Sequence, residues 1–183
     1  SALVAPDSPP AFGNLLVYKD EIVPWFRELA DGVHEHGATV MCQITHLGRR
    51  SSWSSGDWMP LVAASPVREA AHRAFPKAAE DFDIARITRA YGDAAERCQA
   101  GGLDGVEVEL YGHLLDGFWS PLTNKRDDDY AGSLENRMRF SLEALTEMRQ
   151  RVGPDYIIGI RMVADEADEM GLSRADGVEI ARR

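Results

Sequence analysis

Cysteine and positive charge are both scarce in this 183-residue chain. Its two cysteines, Cys42 and Cys98, are isolated in apolar contexts of strand and helix character, so they read as buried small hydrophobes. Lys+Arg number 20 against 30 Asp+Glu, a net charge of −10, which argues against capture of a nucleic-acid backbone. No apolar run approaches the roughly 20 residues a membrane span needs, and residues 1–11 lack a basic segment followed by an apolar stretch. The expectation is a cytoplasmic protein with neither nucleic-acid nor membrane partners. No Gly-x-Gly-x-x-Gly follows a strand-like run, so nothing favours a dinucleotide-binding fold. What remains is a 44% hydrophobic composition and a length that suits one core.

The apolar spacing alternates between helix and strand. Ile22, Val23, Phe26, Leu29, Ala30 and Val33 keep helical spacing within Asp20–Gly37, and residues 38–44 form a short apolar strand. A segment from Thr45 to Asp83, rich in Gly, Pro, Ser and Trp, is too long for a plain connection and is expected to be functional. Asp83 is expected to cap a second helix running to about Ala100, followed by a strand at Gly105–Glu109. A third helix is expected from Ser133 to about Val152, then an apolar strand at Tyr156–Val163, and a further helix near Ser173. Strict alternation, with strands read as apolar on both faces, predicts parallel strands joined by right-handed crossovers. Both a doubly wound sheet and a barrel satisfy that pattern.

Residues 120–140, Ser-Pro-Leu-Thr-Asn-Lys-Arg-Asp-Asp-Asp-Tyr-Ala-Gly-Ser-Leu-Glu-Asn-Arg-Met-Arg-Phe, put charges, a turn and a helix start at fixed offsets. Gln43-Ile44-Thr45-His46-Leu47-Gly48-Arg49 stands at the exit of the first strand, with the pattern Gln-x-x-His-x-Gly-Arg. Together they resemble the flavin oxidoreductase family of old yellow enzyme, 2,4-dienoyl-CoA reductase and trimethylamine dehydrogenase. The resemblance decides for a (β/α)₈ barrel, and it implies an α/β fragment of one FMN-binding TIM-barrel domain, from about its second helix to the start of its fifth. Such a barrel needs eight strands in roughly 250 residues, whereas three strands are evident here. A homo-oligomeric partner or the remainder of the barrel would cover the open edges.

The resemblance also assigns roles. Gln43 would bind the N3–H and O2/O4 edge of FMN, an edge that needs both a donor and an acceptor. Arg161, a charge in an apolar strand, would meet negative charge at the N1/O2 edge, with a structural ion pair to Glu107 or Glu109 as the alternative. His46 and Arg49 would shape the loop or approach the cofactor. Enone reductases of the family carry His-x-x-His or His-x-x-Asn after the second of these strands, with a Tyr two residues further on. Here Glu109, Tyr111 and His113 stand near those positions, apparently one residue shorter. A carboxylate at Glu109 cannot donate to a carbonyl and suits a cationic substrate better.

Trp53, Trp58, Trp119 and Tyr111 are therefore read as an aromatic wall for an alkylated ammonium, with loop packing as the alternative. The function expected is oxidative demethylation of a small N-methylated amine, with hydride passing to flavin N5 and protons managed by Tyr111 or His113, His113 first. The rivals are an NAD(P)H-dependent reductase of an activated alkene, with NAD(P)H as electron donor, and a non-catalytic half-barrel. Neither iron–sulfur ligands nor a metal site are expected. Asn124, Arg126, Asp128, Asn136 and Arg137 are expected to lock the signature loop rather than perform chemistry.

Overall fold

The computed structural model describes residues 1–8, 13–50, 60–70 and 75–183. In chain order its elements are β1 (Ala2–Leu3), β2 (Leu15–Leu16), α1 (Ile22–His34), β3 (Met41–Thr45), β4 (Val62–Ala63), β5 (Lys77–Ala78), α2 (Asp81–Ala100), β6 (Gly105–Leu110), α3 (Leu134–Val152), β7 (Ile157–Met162) and α4 (Arg174–Arg182), with one 3-10 turn at Asp116–Phe118. Five strands form a wholly parallel sheet in the order β2-β1-β3-β6-β7, while β4 and β5 form a separate parallel pair. From β3 onward, through β6 to β7, each crossover within this sheet moves to the next strand in the same direction. Right-handed crossovers that never reverse put their helices on one side of the sheet, which is the arrangement of a barrel; a doubly wound sheet requires a reversal. The chain is an arc of a (β/α)₈ barrel.

Local chemistry sets the element ends. The second helix starts earlier than expected: Glu80 is its cap, and Asp83 is the third helical residue, whose carboxylate accepts from the Glu80 amide at 3.0 Å in a capping box. Ser133 and Ser173 cap α3 and α4 by accepting the amides of Asn136 and Asp176, each at 3.2 Å. The first long strand begins at Met41 rather than residue 38. Strand β1 has no sequence period because it is two residues long; it is fully buried, and its pairing with β3 continues in the Val4 amide donating to the Thr45 carbonyl at 3.1 Å. The core lies between the sheet and its helices, where Cys42, Ile44, Val106, Val108 and Leu110 meet Ile87, Tyr91, Ala94 and Cys98 of α2 and Met138, Ala144 and Met148 of α3. The strands are not apolar on both faces as expected. In β6 the alternate residues Glu107 and Glu109 face away from the helices, only partly covered.

The signature segment is a lock. Asn124 Nδ2 donates to the carbonyls of Phe118 at 2.7 Å and Tyr130 at 2.8 Å. Arg126 pairs with Asp128 and donates to the carbonyls of Ala64 at 3.1 Å and Ala79 at 2.6 Å, tying the loop to the β4–β5 pair. Phe118 meets Phe140 of α3 edge-on at 5.0 Å. Arg137 donates to the carbonyls of Trp119 at 2.5 Å and Gly132 at 2.6 Å.

Replacing Arg126 with Met keeps the stem but strands two carbonyls and a carboxylate. Arg126→Met in the full-length protein is expected to cost about 2–3 kcal/mol, read from urea unfolding midpoints, and Arg126→Lys to recover less than half of it.

Candidate active site

The pleat of β6 sorts its side chains. Val106, Val108 and Leu110 are buried towards the helices, while register places Glu107 beside Gln43 of β3 and Glu109 beside Arg161 of β7 on the opposite face. Gln43 Nε2 donates to Glu107 Oε1 at 2.6 Å. The Gln43 carbonyl oxygen and its second N–H are left without a partner among the described residues. Arg161 is exposed, and among the described residues it makes no ion pair. Its guanidinium carbon lies 5.8 Å from the centroid of the Tyr111 ring. Among the described residues Arg161, on the last strand of this arc, meets no carboxylate, because Glu109 turns towards His113 instead.

Beyond β6 the chain bends at Gly112, whose φ of 74° favours glycine. The Asp116 carboxylate closes that bend by accepting the amides of Gly112 at 2.5 Å and His113 at 2.8 Å. Burial pushes the Asp116 carboxyl up, and the amide donors pull it partly back. His113 Nε2 stands 3.5 Å from Glu109 Oε2, and its buried Nδ1 has no partner. Burial holds the imidazole below its ordinary value, outweighing the upward pull of Asp116 and Glu109. Arg50, five residues beyond β3, donates to the Tyr111 carbonyl at 3.3 Å and lies 6.0 Å from the Tyr111 ring centroid. A cavity of about 350 Å³ opens here, lined by Arg50, Tyr111, Asp116, Ser120 and Glu166 among others.

Other expected site residues lie elsewhere. His46 has no exposed surface: Nδ1 accepts the Gly48 amide at 3.1 Å, which leaves Nε2–H to face Asp7 Oδ1 at 3.3 Å, and its backbone amide donates to Tyr91 Oη at 3.0 Å. It is a structural residue, not a cofactor contact. Trp119 is 2% exposed, and its indole N–H donates to Ser141 Oγ of α3 at 2.9 Å, so it is mainly a packing residue that also contributes to the wall of this cavity. Trp53 and Trp58 lie outside the described residues. Tyr111 is exposed, but guanidinium groups approach its ring where an ammonium was expected. Arg49 donates to the Arg68 carbonyl at 3.4 Å, and burial depresses its pKa. Sequence reasoning missed Arg50, Asp116 and the bond between Gln43 and Glu107. The Gly-Val-Glu-Val-Glu alternation already placed Glu107 on the face of Glu109, whereas nothing in the sequence joins Asp7 to His46.

Residues 1–182 match the NADH:flavin oxidoreductase / NADH oxidase family. The chain belongs to that family. It is 60% identical over 183 residues to a probable N-methylproline demethylase of Rhizobium meliloti (strain 1021), covering 100% of this chain and 27% of that protein. It is 45% identical over 182 residues to the multifunctional alkene reductase/demethylase OYE of Caballeronia cordobensis, covering 100% and 26%. A solved 2-naphthoyl-CoA reductase complex superposes with a TM-score of 0.90 at 28% identity, covering 100% of this chain and 30% of that one. The chain thus spans about a quarter of the length of the curated relatives it matches. For a flavin of this family, the chemistry of the sheet face fits. An amide with a free acceptor and donor suits the imide edge of the ring, and an unpaired cation on the same face suits an electron-accepting edge.

Asp7 holds the underside of the site through His46 and through Arg86, whose nitrogens meet its two oxygens at 2.9 and 2.6 Å. Burial alone would raise the Asp7 carboxyl, but these partners override it and leave it well below the usual carboxylate range. A depressed carboxylate contributes stability above its unfolded value, near 3.9, and that contribution is lost as pH falls towards the folded value. Asp7→Asn is expected to cost about 2–3 kcal/mol at neutral pH and to flatten the acid limb below about pH 4, read from unfolding midpoints across pH.

Proposed function

We propose that the protein containing this chain is an FMN-dependent oxidoreductase that oxidatively demethylates a small N-methylated amine. The observation that carries this reading is the Glu109–His113 pair, 3.5 Å apart at the C-terminal end of β6, on a face that also carries the Gln43 side-chain carbonyl and Arg161, neither paired among the described residues. FMN, when bound, supplies the two-electron acceptor for hydride from the N-methyl carbon. Gln43 would hold its imide edge and Arg161 its N1/O2 edge.

The residues of this chain handle the proton. An amine reaches the site mainly as its ammonium form, and its nitrogen lone pair must be freed before the N-methyl carbon gives up hydride readily. Glu109 attracts the cation by charge. His113, kept neutral by burial, shares the proton at Nε2, and the carboxylate beside it stabilises the imidazolium that forms. Water then hydrolyses the imine to formaldehyde and the demethylated amine. The same carboxylate disfavours an enone, whose carbonyl needs a donor that Glu109 lacks unless protonated. The likeness to an alkene reductase/demethylase supports a second reading, NAD(P)H-dependent reduction of an activated alkene.

The test uses the full-length protein: formaldehyde release from N-methylated amines, measured alongside NAD(P)H-driven reduction of enones. Amine turnover supports the reading, and enone reduction with no amine turnover overturns it. Gln43→Ala and Arg161→Ala are each expected to lower retained flavin. Glu109→Gln is expected to reduce kcat/KM for the amine about 100-fold. In the native protein the limb due to His113 lies below its ordinary value of about 6.5, and His113→Gln removes it from the pH profile.

A further inference from the structure

The cavity beyond β6 and β7 carries one cation on its described wall, Arg50, among four carboxylates, Asp116, Asp165, Glu166 and Asp168. Every one of those acids is committed to building a loop. Asp116 accepts the amides of Gly112 and His113; Asp165 accepts the Ala167 amide at 2.8 Å and meets Arg174 at 3.5 Å. Glu166 accepts Ser120 Oγ and the Leu172 amide, both at 2.6 Å, and Asp168 accepts the Met170 amide at 2.9 Å. None of them pairs with Arg50. That half-buried guanidinium spends one N–H on the Tyr111 carbonyl, and its other donors have no acceptor among the described residues. Arg50 also lies against Gly112, where an added Cβ would come within 3.1 Å of its guanidinium carbon, so its head is held at the bend that carries His113.

The four acids keep their charge, but their oxygens are turned to loop donors, and the fork of unused Arg50 donors, fixed by a backbone contact, is the one cationic group on the described wall able to bind a ligand carboxylate. We propose that Arg50 anchors the carboxylate of the substrate, so that the N-methylated amine is a zwitterionic N-methyl amino acid. This rests on the demethylation reading: the amine end meets Glu109 and His113, and the carboxylate end meets Arg50. The pairing gives selectivity at both ends. An N-methylamine without a carboxylate leaves Arg50 desolvated and unpaired, and an N-acylated amino acid leaves Glu109 without its cation.

The experiment compares N-methylproline with N-methylpyrrolidine, its analogue lacking the carboxylate, in the full-length holoenzyme and in Arg50→Gln and Arg50→Lys. Gln keeps an N–H for the Tyr111 carbonyl while removing the charge. Flavin content and melting temperature report whether each variant is folded. The native enzyme is expected to favour N-methylproline in kcat/KM by about 100-fold, with that ratio collapsing towards unity in Arg50→Gln and falling part-way in Arg50→Lys. A native ratio near unity, or a ratio that Arg50→Gln leaves intact because both substrates fall together, overturns the anchor and leaves demethylation standing. If neither amine is oxidised, the demethylation reading fails, and calorimetric binding decides the anchor. Proline binding that exceeds pyrrolidine binding and is lost in Arg50→Gln keeps it; absence of that difference overturns it.

Discussion

Strand β6 has no freedom to turn its carboxylates towards the helices. Val106, Val108 and Leu110 fill the space against α2 and α3, and a shift of one residue would drive Glu107 and Glu109 into an apolar layer with no cation to meet them. The period of the strand therefore forces both acids onto the opposite face. Because β3 and β7 pair with β6 in parallel register, Gln43 and Arg161 arrive on that same face at fixed offsets. The polar row of the site is the unavoidable counterpart of the core, and it follows from the pleat before any ligand is considered.

That face becomes a site because the loops beyond it are held rigidly. The loops after β3 and β6 lie against each other: the Leu114 amide donates to the His46 carbonyl at 3.1 Å, and a Cβ at Gly48 would stand 3.0 Å from Leu114 Cα. Asp116 then fixes the bend between Tyr111 and His113 from below, while Arg126 and Arg137 bind the signature segment to the β4–β5 pair and to its own helix. Most of the charge in this region is spent on backbone carbonyls and amides. Such bonds satisfy groups that would otherwise be buried unpaired, and they place the few uncommitted side chains with little freedom.

Much of the architecture was legible in the chain itself. The four helices and three longest strands follow from apolar spacing and from Ser133, Ser173 and the turn glycines, whose local preferences agree with the fold. Strands β1 and β2 were not legible, since two residues have no period and their burial depends on β3, far away in sequence. The site was read unevenly for the same reason. Gln43, Glu109 and His113 sit in or directly after strands, where register fixes what they face. The burial of His46 and Trp119 was not legible because residue type points equally well inward and outward. Their inward partners, Asp7 and Ser141, come from other parts of the chain. Arg50 drew no notice as the second of two arginines; only the commitment of every acid around it distinguishes it from a solvated charge.

The two arginines around Tyr111 bear on what the site admits. Guanidinium groups 6.0 and 5.8 Å from one ring gain from its π-electrons, yet they repel each other and neither has a carboxylate partner among the described residues. A protein with an excess of ten negative charges has no shortage of acids to neutralise them. Leaving both unpaired raises the free energy of this corner of the sheet face, and an anion that binds beside either arginine relieves it. Under the proposed reading the substrate carboxylate relieves it at Arg50, and the cofactor edge does so at Arg161 only as it gains negative charge. An ammonium is excluded from Tyr111 by the same field and is directed to Glu109. The charges of the two arginines thus oppose an ammonium at Tyr111, while Asp116, Asp165, Glu166 and Asp168 on the same cavity wall restrict where an anion can meet Arg50.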